Sequence, residues 1–221
     1  MKLAYPLLSK PIEFEEGSVS ILVIENAREL RNVLLSLKSQ IMGNDGEFVL
    51  SEKNEIMELS KNTVLVTDLF EMELESRRID SKFDQSAIQA ADEYVDEFQK
   101  ILASINELGT RISMSLEPES SFSALESPDS LIKLLHFHVE KENLQFSEQI
   151  LEYMRIQRLF FGKKLFIFYN LKACLTDYEV SALYKAIQYE KYHVLLVEDV
   201  QRAEPSTGER IVIVDKDLCI I

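Results

Sequence analysis

Four carboxylates, Glu117, Glu119, Glu126 and Asp129, crowd the stretch EPESSFSALESPDS, residues 117–130. Hard oxygen ligands gathered in one flexible segment are what a calcium ion requires. Their spacing is not that of an EF-hand and no glycine supplies its sharp turn, so a solvated acidic loop is the simpler reading of these residues alone. His136 and His138 form an H-x-H pair on an apolar segment. No cysteine or third histidine stands nearby, so a structural role is expected rather than zinc binding. His193 opens an apolar run and is read the same way. Asp68 closes the run TVLVTDLF, residues 63–70, where an ATPase would hold magnesium; without a phosphate loop it is expected to cap the following turn. No local spacing suggests a Ser-His-Asp or Cys-His nucleophile.

The elements that would position these groups are legible. Leu165 to Tyr169 is an unbroken apolar run too short for a helix, suited to a strand buried on both faces of a parallel sheet. Thr176 and Glu179 then make a capping box, and Val180, Leu183, Tyr184 and Ile187 recur at helical spacing. HVLLVED, residues 193–199, is the next strand. Upstream, VSILVI (19–24) reads as another buried strand, and Ala27, Leu30, Leu34 and Leu37 mark the helix after it. This order is that of an α/β nucleotide-binding fold. The junction Glu25-Asn26-Ala27-Arg28, however, contains no glycine and no lysine-serine or lysine-threonine pair. A carboxylate at that helix mouth repels the phosphate which bare amides should receive.

Gly43-Asn44-Asp45-Gly46 is a turn signal, followed by a short strand at Glu47 to Leu50. The middle of the chain changes period. From Ile88, apolar residues fall at 88, 91, 95, 98, 102, 105, 112 and 116, with Gly109 at the vacant step, as in one long helix built to lie along another. Leu144 to Phe161 is amphipathic and offers a partner helix, and Leu131 to His138 makes a short apolar one. The expected organisation is an α/β head from residues 1–85 and 162–221, with 86–161 inserted as a helical leg. RIVIVD (210–215) and LCII (218–221) are expected at the sheet edge.

The chain has 221 residues, 46% of them hydrophobic, enough for a sizeable core. It offers no apolar segment of membrane-spanning length and no signal-peptide pattern at its start, and a cytoplasmic location is expected. Cys174 and Cys219 stand in apolar surroundings and are expected as buried thiols in a reducing compartment. With 24 basic and 38 acidic residues the net charge is −14, which opposes indiscriminate nucleic-acid binding unless the cations collect on one face. Arg77-Arg78, Lys163-Lys164 and the set Lys133, Lys141, Arg155 and Arg158 are read individually as solvated helix faces.

KLAYPLLSKPIEFEEGSVSILVIEN, NTVLVTDLFEMEL, KKLFIFYNLKACLTDYEVSALYKAI and HVLLVEDV together resemble the small accessory protein of type II-A CRISPR adaptation modules. The resemblance spans nearly the whole chain. It implies a P-loop-ATPase-like head that lacks the phosphate loop, a helical leg, and no enzymatic activity. It implies a homotetrameric ring whose basic inner surface encircles double-stranded DNA, entered at free ends. In that family the ring serves acquisition of new spacers in antiviral defence, beside the integrase and the effector nuclease. The resemblance assigns Lys38, Lys53, Lys61 and Lys133 to the lining of the hole. It assigns Glu117, Glu119, Glu126 and Asp129 to calcium near the head–leg junction. The alternative is an acidic protein-interaction module on a degenerate nucleotide-binding fold.

Overall fold

The computed structural model describes residues 1–15, 18–118, 120–140, 142–202 and 208–221. Of the residues singled out above, Glu119 and Lys141 lie outside these. The chain begins with β1 (Lys2–Ala4), β2 (Ile12–Glu13) and β3 (Val19–Ile24), which leads into α1 (Ala27–Ile41). A hairpin, β4 (Val49–Glu52) and β5 (Glu55–Met57), is followed by α2 (Leu59–Asn62) and β6 (Thr63–Val66). Helices α3 (Arg77–Ala91), α4 (Val95–Ser113), α5 (Pro128–Leu135) and α6 (Phe146–Phe161) come next. The alternation β7 (Leu165–Tyr169), α7 (Asp177–Glu190), β8 (His193–Glu198) and β9 (Glu209–Val214) completes the order. The chain divides into two compact units, one of Met1–Leu74 with Lys141–Ile221 and one of Glu75–Glu140.

The first unit is built on a five-stranded sheet in the order β6-β7-β8-β3-β9, and every pairing in it is parallel. A parallel sheet must be covered on both faces, which is why β3 and β7 carry continuous apolar runs. Ile21, Val23, Phe166, Phe168, Val194 and Leu196 face α6 and α7. Leu22, Ile24, Leu165, Ile167, Leu195 and Val197 face α1 and a four-stranded antiparallel sheet of order β2-β1-β4-β5. The expected mixed α/β class with a parallel sheet is therefore what the chain adopts. The capping box forms as the spacing requires: the Glu179 amide donates to Thr176 Oγ1 at 3.4 Å and the Thr176 amide to Glu179 Oε2 at 2.9 Å.

Three sequence expectations are corrected. First, Leu144 to Phe161 was expected to lie along the long helix of a leg spanning 86–161. Instead α6 belongs to the sheet-bearing unit, where Ile150 and Met154 are fully buried beside Phe166 and Phe168. An amphipathic pattern gives the apolar stripe of a helix but not which surface covers it. Second, the heptad stripe from Ile88 is not one helix: α3 starts earlier, at a Ser76 cap whose hydroxyl accepts the Ile79 amide, and a 3₁₀ turn over Asp92–Tyr94 separates it from α4. The Asp92 amide donates to both Ala90 and Gln89 carbonyls there, tightening the last turn of α3. Third, Cys174 and Cys219 are both exposed. Cys174 ends a short 3₁₀ turn after β7, and Cys219 lies beside the antiparallel bridge of Val214 with Ile220 at the sheet edge.

In the second unit α5 packs on α3 and α4, burying Ile132, Leu102 and Ala91. The segment after α4 folds back on that helix. Asn106 holds it, donating from Nδ2 to the Leu125 carbonyl and accepting the Leu125 amide at Oδ1, both at 2.9 Å. Gly109, the vacant step of the heptad, is where the Phe122 ring sits: a Cβ there would lie 2.6 Å from it.

Glu190 ties α7 to α6. It accepts from Arg158 at 2.9 Å and from Arg155 at 3.2 Å, and the Arg158 guanidinium lies 4.1 Å from the centre of the Tyr192 ring. The Arg158 contact, with Arg155 beside it, holds the Glu190 carboxyl below its ordinary value of 4.5, against the opposing effect of burial. A depressed native pKa stabilises the fold above the unfolded value and loses that contribution as pH falls through the native value. Glu190→Gln should therefore lower the thermal midpoint near neutral pH, and the gap to the unaltered protein should close on acidification below the ordinary glutamate range. A gap that stays constant from pH 7 to pH 3 in thermal melts would show that the charge of Glu190 contributes nothing.

Candidate nucleic-acid interface

In open α/β sheets, ligands bind beyond the carboxyl ends of the strands. The described residues at that edge satisfy one another. At the exit of β3, Asn26 Oδ1 accepts the amides of Arg28 and Glu29, each at 3.1 Å, while its Nδ2 donates to the Lys216 carbonyl at 2.9 Å. The first free amides of α1 are thus taken by the protein's own side chain rather than left for phosphate. Asp68 accepts the Phe70 amide at 2.8 Å and caps the 3₁₀ turn after β6. Glu198, at the end of β8, is 1% exposed. Burial pushes its carboxyl up, opposed by the Lys172 amide and the Arg202 guanidinium that donate to it at 3.2 and 3.4 Å. An anion approaching this edge meets carboxylates at Glu25, Asp199, Asp215 and Asp217.

Basic side chains fall into two groups. One group is committed to ion pairs: Arg155 and Arg158 to Glu190, Lys164 to Glu52 at 2.9 Å and Lys172 to Glu209 at 2.5 Å join elements, and Arg202 pairs with Asp199 at 2.6 Å within the loop after β8. Arg210 and Glu15 form a further pair. Arg158, Lys163, Lys164 and Lys191 bound a concavity of about 400 Å³ over Tyr192. Lys163 Nζ donates to the Ser60 carbonyl at 2.6 Å. Arg155, Arg158 and the Lys163-Lys164 pair, read in the sequence as solvated faces, hold α6, α7 and the small sheet in place.

The second group points into solvent. Lys38 is exposed in the last turn of α1, and Lys53 is exposed at the β4–β5 turn, with φ of 50°. Lys133 is exposed in the last turn of α5. Among the described residues none of these three makes a side-chain ion pair. Lys61 donates to Glu58 at 2.9 Å, an exposed pair of little net worth that a phosphate can displace. Lys38, Lys53 and Lys61 stand on the first unit and Lys133 on the second. Arg28 and Arg31 share the solvent face of α1 with Lys38; sequence reading passed over them, although the 28–31–38 spacing on a helix was the available signal.

Glu117, Glu126 and Asp129 are exposed, Asp129 in the first turn of α5 where the helix dipole favours an acid. Among the described residues no group of three His, Cys, Asp or Glu side chains converges as a metal site would require. His136 and His138 have ring centres 5.8 Å apart, and His138 Nδ1 lies 2.9 Å from the His136 carbonyl, an arrangement that closes the turn after α5.

A family model described as CRISPR-associated protein (Cas_Csn2) matches residues 40–218. No curated protein matches the chain.

The Asn26 cap links β3, α1 and the segment at Lys216, so its removal tests the construction of this edge. Asn26→Ala should cost about 0.5–2 kcal/mol in urea denaturation, the range for loss of a capping side chain. An unchanged midpoint would show that water replaces the cap without penalty.

Proposed function

The chain belongs to the Csn2 family of CRISPR-associated proteins, and from that premise we propose that it binds double-stranded DNA without catalysis, as a ring of four copies acting in spacer acquisition beside the adaptation integrase and the effector nuclease. The observation that carries this reading is the sorting of its cations. In a chain of net charge −14, the lysines that have no ion-pair partner among the described residues and stand at exposed positions include Lys38, Lys53 and Lys133. A sequence-blind contact to phosphates needs only exposed cations whose charge is not already spent on a carboxylate.

The five-stranded parallel sheet, covered on both faces, supports a P-loop-ATPase-like head, and the unit Glu75–Glu140 is the candidate leg. Asn26 in place of a glycine-rich loop supports the absence of nucleotide chemistry. Calcium takes six to eight oxygens. Glu117, Glu126 and Asp129 do not gather into such a set on their own, so calcium would require Glu119 or carboxylates of a second copy to complete its shell. It would then act as a bridge between segments, not as a reactant.

A second reading, a protein-interaction module, is favoured by one observation. Ile101, Leu108 and Ile112 on α4 are each about half exposed, which leaves an apolar stripe for a partner helix.

Gel shifts on linear and closed-circular duplex of equal length separate these readings. Linear DNA should bind, with affinity falling steeply as salt rises, and closed circles should not, because a ring needs an end to enter. Exchanging Lys38, Lys53, Lys61 and Lys133 together for glutamate should weaken linear binding by more than about a hundredfold. Equal binding of both topologies would refute threading, and binding of neither would favour the protein-interaction module. Titration calorimetry with ATP and magnesium should give no heat of binding; micromolar affinity would reinstate a nucleotide site.

A further inference from the structure

We propose that Arg28 and Arg31, with Lys38, form a phosphate-contacting stripe along the exposed face of α1, so that this helix lies against the backbone of the duplex. The inference rests on the reading of the chain as a duplex-binding protein and adds to it two residues and an orientation for one element.

The stripe follows from helix geometry. Leu30, Val33 and Leu37 turn α1 towards the core, which puts positions 28, 31, 35, 38 and 42 on the opposite side. These are Arg28, Arg31, Leu35, Lys38 and Met42, and all are exposed. From Arg28 to Lys38 the axis rises about 15 Å. A strand of B-form duplex presents one phosphate per ~3.4 Å of axis, so the stripe is long enough to face several of them. Leu35 and Met42 add no competing charge.

The signs of charge on this face reverse those of the whole chain. Acids outnumber bases 38 to 24 in the sequence. Within α1 the acid is Glu29, which accepts from Asn32 Nδ2 at 3.2 Å, while Glu25, Asp215 and Asp217 stand at the N-terminal mouth of the helix rather than along its exposed face. Arg28, Arg31 and Lys38 have no ion-pair partner among the described residues, whereas the arginines of α6 each have one. A solvated face maintained only for solubility carries no reason for such an inversion.

Stability does not account for it either. Cations are favoured near helix C-termini and disfavoured in the first turn, where the dipole is positive. Lys38 obeys that rule, but Arg28 is the second residue of α1 and Arg31 follows within the next turn. Their placement costs helix stability and augments the positive end instead. Arginine is also the side chain whose planar fork meets two phosphate oxygens at once.

The test is fluorescence anisotropy with a labelled linear duplex over a range of salt, comparing the unaltered protein, Arg28→Gln/Arg31→Gln, and Arg28→Lys/Arg31→Lys. Each lost phosphate contact lowers the slope of log affinity against log salt by about 0.9. The glutamine pair should therefore flatten it by about 2 and reduce affinity roughly tenfold or more at moderate salt. The lysine pair should keep the slope. The thermal midpoint of the glutamine pair should be unchanged or higher, the opposite of what a structural role for these arginines predicts. An unaltered slope in the glutamine pair, with the unaltered protein still binding, overturns the stripe and leaves the duplex-binding reading intact. Failure of the unaltered protein to bind at any salt removes that reading, and this inference with it. A changed native mass in light scattering, with no change of slope, would make the face a contact between copies and would likewise overturn the proposal.

Discussion

The rest of the first unit follows from one requirement: the central strands must be covered on both sides. Leu165, Phe166, Ile167 and Phe168 are all fully buried, and consecutive side chains of a strand point to opposite faces. Neither α7 nor the small antiparallel sheet can shield both. The chain therefore supplies α1 and that small sheet on one side, with α6 and α7 on the other. This requirement claims α6, whose Ile150 and Met154 fill the space above Phe166 and Phe168. Parallel pairing also leaves the entry to α1 immediately after β3, at the edge where related architectures bind phosphate.

Charge is distributed to match. Ion pairs at Arg155, Arg158, Lys164 and Lys172 lie where elements meet, and several are partly shielded from solvent. Lys172 and Glu209 are the most enclosed of these, with side chains 12% and 0% exposed. A pair so enclosed is costly to break, because the remaining member would be left as a buried charge. These cations are thereby withdrawn from any binding role. Exposed cations outside these pairs include Arg28, Arg31 and Lys38 on α1.

The second unit is organised by Asn106 and Gly109, which draw the segment after α4 back along that helix. This leaves Glu117, Glu126 and Asp129 exposed. Carboxylates in such positions repel one another only mildly in water, where solvent and salt screen them. The same unit exposes Ile101, Leu108 and Ile112, so it presents apolar and acidic surface together.

Short-range patterns were legible in the sequence because they depend only on neighbouring residues. The buried strands, the Thr176–Glu179 box, the capping role of Asp68 and the replacement of a phosphate loop by Glu25-Asn26 all belong to this class. Lys38 was reached through the family resemblance rather than through local pattern. The partner of α6, the 3₁₀ break at Asp92–Tyr94 and the exposure of both cysteines were not legible. Each depends on which surface arrives from elsewhere in the chain, and a hydrophobic period specifies that a face is covered without specifying by what. The same holds for charge: the sequence counts Arg28, Arg31, Arg155 and Arg158 alike. Only the tertiary structure brings Glu190 to the last two and, among the described residues, no ion-pair partner to the first two, because an ion pair between residues more than thirty positions apart exists only once the helices have packed.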